Sequence, residues 1–294
     1  MSNLLQKIKS GKILVSDGAW GTFLQKKGLQ PGECPELWNI EHSPEVLDIA
    51  QSYVDAGADM IETNSFGANR FKLEHFGLSD RAFELNKAAA EISRKAAGPD
   101  RFVIGSVGPT GKILMMGDVT EEELYEAFKE QVQGLEAGGA DAIVIETMSD
   151  LDEARIAIRA ARENTQCEVM CTMTFAATPS GEYFTMMGVS PSQMVHELLD
   201  AGATIIGSNC GNGIAGMLHV VKEIRGVNPD IPVFIQANAG APIYQNGETT
   251  FPETPVEMGA FVSQLIEAGA NIIGGCCGTT PEHIREIAKI VHSH

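Results

Sequence analysis

The stretch DAGADMIET, residues 55–63, holds the end of a helix, a glycine turn and the start of an apolar strand. The same unit recurs as EAGGADAIVIET from Glu136, DAGATIIGSN from Asp200 and EAGANIIGG from Glu267. Each glycine closes an amphipathic stretch, where a helix C-terminus favours a residue that tolerates the left-handed conformation. Four more apolar runs lie between the units: KILVSDGA from Lys12, RFVIGSVGP from Arg101, CEVMCTMTFA from Cys167 and IPVFIQANAG from Ile231. Apolar residues spaced three and four apart predict helices over 44–55, 80–96, 121–137, 152–162, 191–199, 214–224, 255–268 and 281–291. Four helices open on Ser or Thr followed by Pro, at Ser43, Ser190, Thr254 and Thr280. There the hydroxyl can cap and the proline takes the first helical position.

Eight alternating strand–helix units predict an α/β fold, a single (β/α)8 TIM barrel, in one domain spanning 1–294. An open doubly wound sheet is the rival. The four-fold spacing of the glycine units favours closure, since a barrel gives alternate strands equivalent surroundings.

A chain of 294 residues with 44% hydrophobic content suffices for one large core. Its formal net charge of -18 disfavours nucleic acid and anionic membrane surfaces as partners. No apolar run reaches the roughly 20 residues that span a bilayer. The start, MSNLLQKIKSGK, lacks the apolar segment of a signal peptide. A reducing cytoplasm is therefore expected, and the six cysteines read as free, metal-bound or catalytic rather than as a disulfide framework.

Active sites of such barrels lie at the C-terminal ends of the strands. Three cysteines fall there: Cys210 after the sixth strand, and the adjacent Cys276 and Cys277 after the eighth. These strand ends are about 10 Å apart, a gap that inward-turning chains can bridge. Three converging thiolates make a zinc site with its fourth tetrahedral position open. The alternatives are a strained vicinal disulfide and plain packing. Cys171 reads as core, and Cys34, in GECPELWN, as a loop residue without a partner. A tris-thiolate zinc is a weak Lewis acid toward water but binds a soft fourth thiolate well, activating it for alkyl transfer.

Asp17 ends the first strand and Glu146 the fourth, so both can face the mouth and hold an ammonium group. Alternatively Asp17 caps the next turn and Glu146 pairs with a basic residue. The backbone of DGAWGT, around Gly18, Ala19 and Trp20, can receive a carboxylate. Zinc for sulfur, acids for ammonium and amides for carboxylate together describe a thiol amino acid.

The motifs DGAWGT, ETNSFGAN, GSVGPTG, ETMSD, GSNCG, NAGAP and GGCCGTTPEH give the chain a strong resemblance to the homocysteine S-methyltransferase family. Within that family the likeness is to the homocysteine-binding barrel of cobalamin-dependent methionine synthases. The resemblance implies one catalytic zinc on Cys210, Cys276 and Cys277, with the homocysteine thiolate in the open position and methionine as product. It implies amino-group contacts from Asp17 and Glu146 and carboxylate contacts from the backbone of Gly18, Ala19 and Trp20. Thr63 and Asn64 would line the pocket, and Asn209 precedes the first zinc ligand.

The implied methyl donor is methylcobalamin on a corrinoid protein or domain. The chain ends about ten residues after TTPEH, so that donor is expected in trans or from elsewhere in a longer polypeptide. S-methylmethionine and betaine are the alternative donors. A betaine site needs aromatic faces, for which Trp20, Phe66, Phe175, Tyr183 and Phe184 are candidates. Met115, Met116, Met186 and Met187, on two mouth loops, are candidates to receive the methylcorrinoid, against the reading that these loops pack on their own barrel. His283 is expected to be structural. Three readings stay open besides: a same-fold methyltransferase for another thiol, a phosphate-binding barrel enzyme with incidental cysteines, and a non-catalytic homocysteine-binding module.

Overall fold

The computed structural model describes residues 3–245 and 248–294; of the expected domain 1–294, Met1, Ser2, Asn246 and Gly247 lie outside the described residues. The barrel strands are β1 (Leu14–Val15), β2 (Met60–Glu62), β3 (Phe102–Val107), β4 (Ala142–Met148), β5 (Glu168–Met173), β6 (Ile205–Gly213), β7 (Val233–Asn238) and β8 (Ile272–Gly275). All eight are parallel, in the order β1-β8-β7-β6-β5-β4-β3-β2, and a bridge from Ser16 to Met60 joins the two ends into a barrel.

The repeated glycine unit explains this closure. Gly57, Gly139, Gly202 and Gly269 have φ of 99°, 99°, 109° and 106°, so each turn takes the left-handed geometry that glycine permits. The polar residue two positions on then ties each new strand to the preceding one. Asp59 Oδ2 accepts from Val15 N at 3.0 Å, Asp141 Oδ2 from Val103 N at 2.8 Å, and Asn271 Oδ1 from Val233 N at 2.9 Å. Thr204 makes the equivalent link by donating Oγ1 to Val169 O at 3.1 Å. Each even strand is thereby registered on the odd strand before it.

The N-terminal helix Asn3–Lys9 closes the other end of the barrel. Leu4, Leu5 and Ile8 join Leu14, Met60, Ile104, Met170, Phe234 and Ile272 in one buried cluster. Apolar residues at the bottom thus leave the C-terminal end for polar ones.

Two predicted helices agree to the residue, Glu121–Ala137 and Pro281–Val291. The helix predicted over 255–268 is two, Pro255–Gly259 and Val262–Ala268. The first ends at Gly259, where an added Cβ would lie 2.8 Å from Glu286 Cγ, so the chain bends where it presses against the last helix. Ser190 and Thr254 cap as expected, accepting from Gln193 N and Glu257 N. Ser43 does not: it is the first helical residue of Ser43–Ala56, which has no side-chain cap. No helix among the described residues is long and apolar enough to cross a membrane.

Candidate active site and metal centre

A cavity of about 310 Å³ opens at the C-terminal ends of the strands, lined among others by Trp20, Glu62, Glu146, Cys210, Cys276 and Cys277. Its floor is built from strained and tightly held backbone. Cys210 and Thr147 have φ of 58° and 60°, the two non-glycine residues with positive φ among the described residues. Such conformations cost about 1–3 kcal/mol each and persist where the surroundings fix them. Asn209 does so for Thr147 and immediately precedes Cys210. Its Oδ1 accepts from Thr147 N at 2.8 Å and Thr172 Oγ1 at 2.7 Å; its Nδ2 donates to Thr147 Oγ1 at 2.7 Å and Glu146 Oε2 at 3.1 Å.

Cys276 and Cys277 follow β8 in a turn that glycine makes accessible. A Cβ on Gly275 would lie 2.4 Å from Thr279 Oγ1, and one on Gly274 2.7 Å from Ser16 Cβ. Cys276 N donates to Ala237 O at 2.7 Å, and Cys277 O accepts from Ala239 N at 3.0 Å. The sulfurs of Cys210, Cys276 and Cys277 consequently converge, all within 4.8 Å of one another. Hydrogen bonds from the other two thiols pull Cys210 well below the usual thiol range, and the same bonds push Cys276 and Cys277 up. Three soft donors, anionic once deprotonated, suit a zinc ion and leave it one coordination place.

Three buried carboxyl groups gather at the same end of the barrel, with Glu146 and Cys276 both in reach of Asn209 Nδ2, at 3.1 and 3.9 Å. Burial pushes Asp17 up from 3.8 to about 7 and Glu146 from 4.5 to about 7. Burial, then Glu146 and Asp17, hold Glu62 well above the usual carboxylate range. Ser106 Oγ donates to Glu146 Oε1.

The predicted residues divide into those facing the cavity and those behind it. Gly18, Ala19, Trp20, Thr63, Asn64 and Glu146 face it. Asp17, expected at the mouth beside Glu146, sits behind the wall: its fully buried carboxylate accepts from Trp20 Nε1 at 3.0 Å and Glu62 N at 2.9 Å. Asn209 is likewise a buried brace. The Ala19 amide, expected to meet a substrate carboxylate, already donates to Thr279 Oγ1 at 3.0 Å. Thr279 Oγ1 in turn donates to Cys276 O at 2.8 Å, linking that loop to the cysteine turn.

His283 is structural: Nδ1 accepts from Thr280 N at 3.1 Å and Nε2 lies 2.9 Å from Glu253 O. Cys34, read as a loop residue without a partner, is buried, and its thiol donates to Glu36 Oε2 at 3.3 Å. Glu36 Oε1 accepts from Gly67 N at 2.7 Å, so Cys34 completes a buried clasp between two mouth loops. Of the five candidate aromatics, Trp20 and Phe66 line the cavity, whereas Phe175 is fully buried. Met115, Met116 and Met186 are 75% or more exposed, so these methionines do not pack on their own barrel.

The sequence reading missed Glu36, Glu62 and Gln236. A signal for Glu62 was available: the Glu-Thr pair that ends the first glycine unit, Glu62-Thr63, recurs at the end of the second as Glu146-Thr147. Glu36 offered none, because it reaches the cavity through a loop.

The sequence profile described as homocysteine S-methyltransferase matches residues 14–291. The chain belongs to the homocysteine S-methyltransferase family. Among curated proteins, it is 34% identical to a methionine synthase of Mycobacterium tuberculosis, over 98% of this chain and 25% of the relative. It is 33% identical to a methionine synthase of Mycobacterium leprae, over 95% of this chain and 24% of the relative. The chain thus spans about a quarter of the length of these relatives. The fold is similar to the crystal structure of the homocysteine methyltransferase MmuM from Escherichia coli, metallated form, with a TM-score of 0.79, 22% identity, and 98% of this chain and 99% of that one covered.

Within this family's barrel, Tyr53 has a distinct supporting task. Its buried hydroxyl donates to Ala19 O at 2.7 Å, and its ring meets Phe23 edge-on at 5.9 Å. Tyr53→Phe keeps the ring and strands a buried carbonyl, so a loss of about 1–3 kcal/mol in stability is expected, read from thermal unfolding. The Gly18–Trp20 loop then loosens, and weaker substrate binding should accompany the shift.

Proposed function

We propose that this barrel transfers a methyl group to the thiol of L-homocysteine, giving methionine. The carrying observation is that three converging thiols share one small cavity with the carboxyl groups of Glu62 and Glu146. A zinc ion held by Cys210, Cys276 and Cys277 would lower the pKa of the substrate thiol, making it a nucleophile at neutral pH. Glu146 and Glu62 hold the amino group, with Asp17 adding negative charge from behind and orienting Trp20. The amides flanking Ala19, at Gly18 and Trp20, receive the carboxylate. Thr63 and Asn64 shape the wall: Thr63 Oγ1 accepts from Ser106 N at 3.0 Å, and Asn64 Nδ2 donates to Pro35 O at 2.7 Å. Held at both polar ends, the substrate presents its sulfur to the incoming methyl group. A bond from sulfur to carbon forms, the donor–carbon bond breaks, and the donor keeps its electron pair.

For the donor we take a methylcorrinoid supplied by another domain or protein. The exposed Met115, Met116, Met186 and Met187 beside the mouth support a carrier that docks there. The decisive experiment is a donor panel with homocysteine: methylcobalamin, S-methylmethionine and betaine, following methionine and zinc content together. Turnover with methylcobalamin is expected; zinc-free protein with full turnover would exclude the metal, and zinc-loaded protein inert with every donor would leave a binding module.

The carboxyl groups give this function a pH signature. Asp17 and Glu146 titrate near 7 in the folded protein, above their ordinary values. Their protonated forms favour the folded state, so the stability they contribute is present below pH about 4 and lost as pH rises through about 7. A cationic ligand needs the ionised forms. Methionine, which has no thiol proton to confuse the titration, should therefore bind about tenfold tighter at pH 8 than at pH 6 for each group that ionises. Calorimetry in buffers of different ionisation enthalpy should register the proton release.

A further inference from the structure

Gln236, on β7, has a buried acceptor without a partner. It is 2% exposed and faces the cavity; Nε2 donates to Glu62 Oε1 at 2.7 Å, while Oε1 has no hydrogen-bond partner among the described residues. A buried polar atom in that condition marks a place where a donor is missing. The surroundings define the donor. Glu62 and Glu146 line the same cavity, as does Glu36, whose carboxylate is already taken by Cys34 and Gly67; Asp17 lies behind the wall, and no Lys or Arg is among the lining residues. A neutral hydroxyl would satisfy Gln236 but leave the acids uncompensated; a primary ammonium supplies both a charge and three N–H donors. Glu62, once ionised to face that charge, can only accept. Gln236 must then keep Nε2 toward Glu62 and offer Oε1 to the ligand.

We propose that Glu62 and Gln236 act as a pair that reads the substrate's α-amino group by its N–H donors, admitting thiols with a primary ammonium and rejecting thiols without one. This rests on the homocysteine reading and deepens it: Glu146 supplies charge, whereas the Glu62–Gln236 pair supplies directional selection. A site built around hydrogen bonds to a substrate group discriminates strongly against an analogue lacking it, because the buried partners are then left unpaired.

The test compares homocysteine with 4-mercaptobutanoate, which lacks the amino group, by calorimetry on zinc-loaded protein. Wild type should prefer homocysteine by roughly 100-fold. In Gln236→Met and Glu62→Gln that preference should fall at least ~10-fold, while affinity for 4-mercaptobutanoate and the zinc content stay unchanged. An unchanged preference in both variants overturns the proposal. So does an equal loss for both thiols, which marks a merely structural role. A measurement on wild type stands independent of variant folding: N-trimethylated homocysteine keeps the charge but has no N–H donors and should bind far more weakly than homocysteine, and equal binding overturns the pair's role. Wild type that binds neither homocysteine nor 4-mercaptobutanoate overturns the homocysteine reading itself, and the inference with it.

Discussion

Cys276→Ser should give a folded barrel that retains no zinc and makes no methionine. The substitution removes little volume, and the local backbone is held without the sulfur: Cys276 N donates to Ala237 O, and Cys276 O accepts from both Thr279 N and Thr279 Oγ1. What changes is the donor set. Cys210, Cys276 and Cys277 are the whole cluster among the described residues, so no fourth thiol can step in. A serine hydroxyl stays protonated at neutral pH and is a hard donor, leaving two thiolates for a metal that needs three protein ligands and an exchangeable place. Losing an outer partner of a metal ligand costs about 10–100-fold in affinity, and losing the ligand itself should exceed that. Elemental analysis, methyl-transfer assay and thermal unfolding on one preparation check it. Full turnover by a zinc-free variant would remove the metal from the mechanism.

The parts of this centre differ in how far the sequence revealed them, for physical reasons. The barrel was readable because its repeat is local: helix end, glycine and strand start are contiguous, and the polar residue that registers each strand lies two positions past the left-handed glycine. Cys210 and the Cys276–Cys277 pair were readable as a group once eight strands placed their ends at one face. Side-chain direction was not. Asp17 precedes the turn as expected, but Trp20 Nε1 and Glu62 N claim its carboxylate, partners three and forty-five residues away. The clasp of Cys34 and Glu36 depends on a loop folding onto Gly67, which no periodicity records. Backbone strain was equally invisible. Cys210 and Thr147 both adopt positive φ, and Thr147 is held there by Asn209, which bonds across two strands to Thr147, Thr172 and Glu146; a linear pattern carries no trace of that brace.

Gly207→Ala should be the most damaging small substitution in the barrel, and it tests the strand pairing on which the centre rests. Gly207 of β6 is registered opposite Phe234 of β7. A Cβ there would lie 1.7 Å from Phe234 O and 2.7 Å from Phe234 C, both backbone atoms that no rotamer change can move. Nor can β7 retreat, since Asn271 Oδ1 holds Val233 N at 2.9 Å and the Phe234 ring is fully buried in the lower cluster. Overpacking that side chains can absorb costs about 1–3 kcal/mol. Here ladder hydrogen bonds must open as well, so the loss should exceed about 3 kcal/mol, a large part of the ~5–15 kcal/mol that stabilises a typical protein. The expected readout is an insoluble product or a much lower unfolding midpoint. Gly226→Ala is the matched control: it lies in the helix Ile214–Val227 with nothing within 4 Å of an added Cβ, and it should stabilise by about 0.4–1 kcal/mol. Asn209 and Cys210 follow Gly207 on the same strand. A Gly207→Ala protein with a wild-type midpoint would therefore refute the β6–β7 register, and with it the position of Cys210, the first of the three clustered thiols, over the barrel.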